Sequence, residues 1–174
     1  MDNMEGIMEP LLTREAIASP LLAQLPKGIF LSVGGAAPNV MTVGWGGLSF
    51  YWGKDIFVAP IRPQRFTHAP LLQQKAFTLS VPAPESFAKE LHLCGTLSGR
   101  DGDKFQAAGI TPAAARAVDA PIVPGCAFYL ECRVLATHAF TKEGTDPAIR
   151  QMTYTAGDFH TLFYGEIVAS YWGA

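Results

Sequence analysis

The chain has 174 residues, of which 49% are hydrophobic and only 16% charged, with 13 basic against 15 acidic side chains and a formal net charge of −2. Folded domains average roughly 25% charged residues, and disorder requires low hydrophobicity with high net charge, so this is a folding chain. The same balance argues against a nucleic-acid or anionic-membrane surface as the basis of function.

A chain of this length is expected to form one domain, residues 1–174, around a single core. Residues 1–25 read as an N-terminal extension packing on it, with a short helix or turn in PLLTREAIASPLLAQL. Gly28 to Val33 and Val40 to Leu48 are predicted strands, joined by the turn Gly34-Gly35-Ala36-Ala37-Pro38-Asn39, and Asp55 to Ile61 is a third. Gln64 to Lys75 reads as a short helix that Pro70 keeps irregular, and Ala76 to Val81 as a strand. Pro84 and Glu85 suit a first helical turn, followed by Phe87, Ala88, Leu91 and Cys94 at helical spacing. Asp103 to Ala108 is a further short helix.

In the last third, Phe128, Leu130, Cys132, Val134 and Ala136 alternate with Glu131 and Arg133, the pattern of a half-buried strand. Lys142 to Pro147 is a polar turn, Gln151 to Thr155 a return strand, and His160 to Tyr171 a long final strand, with Gly165 marking a bulge or close approach. Six or more strands and a few short helices suggest an antiparallel barrel, because closure removes exposed edges.

Between Lys27 and Lys54 lie 26 residues without a charge, enough to cross a bilayer. Seven of them are glycine and Pro38 sits near the middle, so a spanning helix is excluded in favour of two buried strands around a turn. Asp2, Glu5 and Glu9 stand where a secretory leader needs positive charge, which makes the cytoplasm the expected compartment. The three cysteines, Cys94, Cys126 and Cys132, form no CxxC pair and read as reduced thiols. Cys94 suits a buried helix face better than a redox role, and Trp172 reads as a packed core aromatic.

The few basic residues fall into two clusters. Arg62-Pro63-Gln64-Arg65-Phe66-Thr67-His68 sits where a strand ends and a helix begins, so guanidinium groups, a hydroxyl and helical N–H groups can converge on an anion. Cys94 to Phe105 (CGTLSGRDGDKF) is a glycine-rich loop carrying Ser98, Arg100 and Lys104, which can cradle a phosphate with backbone donors and cations. Each alone is equally compatible with a solvated turn. GxxxxGK[ST] and GxGxxG are both absent, which removes the P-loop and Rossmann readings. Asn39-Val40-Met41-Thr42-Val43-Gly44-Trp45-Gly46 combines close backbone approach with apolar cover, as a flat aromatic ligand requires; it is also compatible with a plain core strand.

Taken in order, NVMTVGWG, WGKDIFVAPIRPQRFTH, FTLSVP, CGTLSGRDGDKF and HTLFYGEIV resemble the flavin reductase-like family of FMN-binding split barrels, in particular its flavoredoxin branch, over residues 26 to 172. The resemblance implies a mainly β fold, a six-stranded antiparallel split β-barrel with short flanking helices, and a homodimer binding FMN near its subunit interface. It implies an FMN-dependent oxidoreductase that passes electrons from NAD(P)H or a reduced protein donor to an acceptor. The alternative is a flavin-binding electron carrier without NAD(P)H activity. Carried over by position, Met41, Thr42, Val43 and Trp45 would line the isoalloxazine, and Ala59, Pro60 and Ile61 would run along the ring or ribityl chain. Arg62, Arg65, Thr67, Ser98, Gly99, Arg100 and Lys104 would hold the phosphate. His160 matches a histidine beside the flavin where the electron donor approaches. Phe159 intervenes in Gly157-Asp158-Phe159-His160, where relatives have Gly-Asp-His. No side chain need act as acid or base, since the cofactor supplies the chemistry.

Overall fold

The computed structural model describes residues 11–174, so the first ten residues of the expected N-terminal extension lie outside it. Helix α1 (Arg14–Gln24) opens the described chain, capped by Thr13, whose hydroxyl accepts from the Ala16 N–H. A 3-10 turn, Leu25–Lys27, leads into strand β1 (Ile29–Val33), which is followed by β2 (Asn39–Val43), β3 (Gly47–Tyr51) and β4 (Lys54–Ile61). Then come α2 (His68–Gln74), β5 (Ala76–Val81), α3 (Ala88–Thr96), α4 (Lys104–Ala107), β6 (Phe128–Ala139), α5 (Pro147–Thr153) and β7 (Thr161–Trp172). Among the described residues no helix is long and apolar enough to cross a membrane.

The strands form one antiparallel sheet in the order β2-β1-β5-β6-β7-β4-β3. It is a split barrel of seven strands rather than six. The difference arises at Gly44-Trp45-Gly46, where the predicted strand Val40–Leu48 breaks into β2 and β3. Gly46 adopts φ +131°, and a Cβ there would lie 2.5 Å from the Val58 carbonyl oxygen, so only glycine lets the chain turn this close to β4. The two pieces, consecutive in sequence, become the opposite edges of the sheet.

Two apolar clusters flank the sheet. Alternate residues of the strands, among them Leu31, Val43, Phe57, Phe77, Leu79, Leu130 and Phe163, fill the barrel together with Ile17, Leu21 and Leu25 from the N-terminal segment. Phe30, Val40, Tyr129 and Tyr171 point the other way and are covered by Leu91 and Cys94 of α3, Phe105 of α4, and Ile122, Val123 and Cys126. All five residues of β1 are therefore buried, which accounts for the missing charge. Gly165 meets both expectations. It lies beside a register shift in the β6–β7 pairing, and a Cβ on it would come within 2.6 Å of the Phe77 ring. Gly165→Ala is expected to lower stability by about 2 kcal/mol through overpacking, read as a fall in Tm of several degrees.

Four local expectations are corrected. The helix predicted over Gln64–Lys75 starts only at His68, after the Arg62–Thr67 segment has turned twice, with Arg65 N–H bonded to Arg62 C=O and His68 N–H to Arg65 C=O. Helix α3 starts at Ala88, not at Pro84, because Glu85 and Phe87 take positive φ values of 64° and 58°. Residues 151–155 are not a strand: Asp146 caps α5 through Oδ1 and Pro147 occupies its first position, so the chain is helical through Thr153. Trp172 is half exposed, packed edge-on against Phe128 rather than within the core.

The alternation along β6 also misleads at Glu131, which is fully buried although it lies on the face predicted to meet solvent. The chain between α4 and β6 folds back over it. Its Oε1 accepts from Arg116 N–H and the Tyr171 hydroxyl, each at 2.7 Å, and Oε2 from Ala117 N–H at 2.6 Å and Val118 N–H at 3.1 Å. A carboxylate so supplied with donors is stable away from water.

Candidate functional site

The two basic clusters, about 30 residues apart in sequence, meet in space. Arg65 Nη1 donates to the Gly95 carbonyl at 3.3 Å, and Arg100 Nη1 to the Gln64 carbonyl at 3.0 Å, which stitches the turn after β4 to the loop between α3 and α4. Asn39 Nδ2 donates to Thr67 Oγ1 at 2.9 Å and ties the start of β2 to the same place. Asp103 caps α4 through Oδ1 and so sets Lys104 at its first position. Gly99 packs against Phe66 and Asn39, where a Cβ would come within 2.6 Å of both, so the loop reaches the turn only with glycine here.

These contacts frame a cleft with two lobes. The first, about 470 Å³, is lined by Met41, Arg62, Gln64, Arg65, Phe66, Thr67, Thr96, Leu97, Ser98, Gly99, Arg100 and Lys104. The second, about 240 Å³, is lined by Met41, Thr42, Val43, Gly44, Trp45, Pro60, Ile61, Arg62, Arg65 and His160. Met41, Arg62 and Arg65 belong to both, so the lobes are continuous. Every residue predicted for the site from the sequence lines one of them except Ala59, which has no exposed surface and packs inside the barrel.

Electrostatically the lobes differ. Arg65, Arg100 and Lys104 form no ion pair among the described residues. Lys104 is almost wholly buried, and burial pulls its pKa down to about 8, with the Arg65 charge adding to the effect. Three cations around one cavity without a counter-charge make a site that an anion would relieve. Arg62 is different, because it is already paired. It pairs with Asp158 through Nη1 and donates from Nη2 to the Thr153 carbonyl at 3.1 Å, and Gln64 Nε2 joins Asp158 at 2.5 Å. The hydrogen bond from Arg62 holds the Asp158 carboxyl below its usual pKa. Arg62 thus anchors the 153–160 segment to the rim of both lobes.

The second lobe is walled by the edge strand β2, which has a neighbour on one side only. Thr42 commits its hydroxyl to the Leu91 carbonyl at 2.6 Å, so it offers the cleft its main chain. Trp45 stands half exposed at the mouth, its ring centroid 5.0 Å from that of His160. Phe159 stacks on Tyr154 at 4.7 Å and leaves His160 facing the cleft, so its insertion does not turn the histidine away. His160 Nδ1 lies 2.7 Å from the Tyr154 hydroxyl. Burial, and then the nearby Arg62 charge, lower the His160 pKa to about 4, so the imidazole is neutral near pH 7.

Tyr154 and Asp158 were missed in the sequence. Tyr154 fell in the segment read as a return strand, and Gly157-Asp158-Phe159-His160 was read only for its histidine; only the helical Asp146-Pro147 signal could have indicated that the segment folds back. Cys94 is buried on α3 as expected, and burial raises its pKa to about 11, which makes it a poor nucleophile.

The family model for the flavin reductase like domain matches residues 22–173. The chain belongs to that family. An uncharacterized protein of Archaeoglobus fulgidus is 32% identical over 156 residues, which is 89% of this chain and 77% of that one. Among solved structures of flavin reductase-like folds, the FMN-binding protein from Thermus thermophilus with bound p-hydroxybenzaldehyde is similar at a TM-score of 0.65 and 26% identity, over 83% of this chain and 70% of that chain. The flavoredoxin of Desulfovibrio vulgaris (Miyazaki F) reaches the same TM-score of 0.65 at 23% identity, over 83% and 68% of the two chains. A flavin reductase-like split barrel with a continuous two-lobed cleft is therefore the frame for the function.

Proposed function

We propose that the protein is an FMN-dependent oxidoreductase of the flavin reductase and flavoredoxin type, passing electrons from NAD(P)H or a reduced protein donor to an acceptor. One observation carries this reading: three cations without counter-charges line one end of a cleft whose other end is an unpaired strand edge beside apolar side chains. A phosphate needs the first and a flat heteroaromatic ring the second, and the two lobes are continuous, so the residues fit the chemistry of a flavin mononucleotide.

In this reading Arg65, Arg100 and Lys104 hold the phosphate, with Thr67, Ser98 and the main chain at Gly99 completing its shell. The free edge of β2 from Met41 to Val43 offers N–H and C=O groups to the polar rim of the ring. Pro60 and Ile61 supply apolar wall, and Arg62 secures that wall through Asp158. FMN, when bound, supplies two-electron acceptance from a hydride donor and onward transfer of those electrons. His160 and Trp45 border the mouth through which a donor enters, with the imidazole available as a hydrogen-bonding group. A homodimer would cover the exposed aromatic side chains of Trp45 at this mouth and of Phe50, Tyr51 and Trp52 at the far end of the β3–β4 hairpin. The cytoplasm is the compartment in which these donors and three free thiols are both found.

The test is anaerobic titration of protein mixed with FMN. Quenching of flavin fluorescence on binding, then bleaching of flavin absorbance on addition of NADH or NADPH, is the expected result. Bleaching by reduced ferredoxin alone would assign the carrier role instead, and no FMN binding at all would overturn the reading.

A further inference from the structure

We propose that Tyr154 is a positioning residue for the electron-exchange step: its hydroxyl donates to His160 Nδ1, locks the imidazole in the Nε2–H tautomer, and presents that N–H to a carbonyl or amide oxygen of the molecule entering the second lobe. This rests on the oxidoreductase reading. It adds a residue outside every motif of the sequence and a chemical requirement on the substrate.

The argument begins with proton bookkeeping. Burial raises the Tyr154 pKa, so its phenol keeps its hydrogen, and at 2.7 Å the bond to Nδ1 is short and direct. Nδ1 is the one acceptor for that hydrogen among the described residues, so the other ring nitrogen carries the imidazole proton. A neutral ring of fixed tautomer has one donor left, and His160 lines the second lobe. A neutral N–H suits a neutral acceptor such as an amide or ketone oxygen, whereas a carboxylate would favour an imidazolium.

The surroundings hold the pair in place. Phe159 stacks on the Tyr154 ring, and the Arg62 guanidinium lies 5.4 Å from its centroid. Trp45 packs beside the imidazole from the opposite wall. Tyr154 also closes α5, its N–H donating to the Arg150 carbonyl at 2.9 Å, so the phenol has a rigid base. Removing its oxygen alone leaves all these ring contacts intact.

The experiment uses Tyr154→Phe beside the unaltered protein, both labelled with ¹⁵N-histidine and supplied with FMN. In the unaltered protein the His160 signals should show an unprotonated Nδ1 and a protonated Nε2 near pH 7. In Y154F the two tautomers should mix, while the FMN dissociation constant stays within about twofold and the rate of flavin bleaching by NADH falls about tenfold. Unchanged tautomer and rate in Y154F would overturn the proposal, as would an Nδ1–H tautomer in the unaltered protein. If the unaltered protein bound no FMN, the functional reading would fall, yet the tautomer measurement would still decide the role of Tyr154.

Discussion

Arg65→Ala, Arg100→Ala and Lys104→Met are each expected to weaken FMN binding about ten- to hundredfold, while riboflavin, which lacks the phosphate, binds within about threefold of its original affinity. The contrast isolates the anion from the ring, and fluorescence-quenching titrations of the two flavins measure it directly. Equal losses for both would remove these cations from phosphate binding.

Lys104 has a second, opposite signature. A buried cation without a counter-charge opposes folding of the flavin-free protein, so Lys104→Met should raise its Tm as it weakens FMN binding. The pH dependence follows with a definite sign. Folding lowers the Lys104 pKa from 10.5 to about 8, so between those values the unfolded chain holds the additional proton. Stability of the flavin-free protein therefore rises with pH across that window. Phosphate affinity runs the other way, since the charged amine that attracts the anion is lost as pH passes about 8. FMN affinity measured from pH 7 to 9 should fall, and the Lys104→Met variant should flatten the curve.

Glu131→Gln should cost about 3 kcal/mol, because the side chain meets four donors and no acceptor, and an amide turns one of its two accepting ends into a third kind of donor against them. For a chain of this size that is a fall in Tm on the order of 10 °C. Glu131 is remote from the cleft, so FMN affinity at a temperature where the variant is folded should stay unchanged. The residue fastens the 110–126 segment over the outer face of β6 and β7, where Arg116 also lies over the Tyr171 ring at 3.6 Å. Loss of that fastening should appear as faster hydrogen exchange at Arg116, Ala117 and Val118, and unchanged Tm would show that the four hydrogen bonds contribute nothing net.

Strands β1, β4, β5, β6 and β7 were legible because each carries a run or alternation of apolar residues bounded by Gly, Pro or polar turns. The cation lobe was legible because basic residues are scarce and collect in two places, and a scarce residue type is informative about position. What escaped depended on tertiary contact. Nothing local distinguishes Glu131, whose burial depends on a segment 13 to 15 residues away, from an ordinary surface glutamate. The pairing of Arg62 was hidden because its partner, Asp158, lies 96 residues further on. The break at Gly44-Trp45-Gly46 was hidden because the residues on both sides have strand-forming character, and only the proximity of β4 forces the turn. Ala59 shared a motif with Pro60 and Ile61; alternation turns Ala59 and Ile61 alike into the barrel, but only Ile61, at the end of the strand, also borders the cleft.

The Gly44-Trp45-Gly46 link makes the barrel's seam a covalent clasp rather than a hydrogen-bonded joint. β2 and β3 end the sheet on either side of it, so no ladder bond crosses the gap between them. Trp45 rides on that clasp. The second lobe therefore borders a seam that no ladder bond closes, while the cation lobe is stitched from the turn after β4 to the loop before α4.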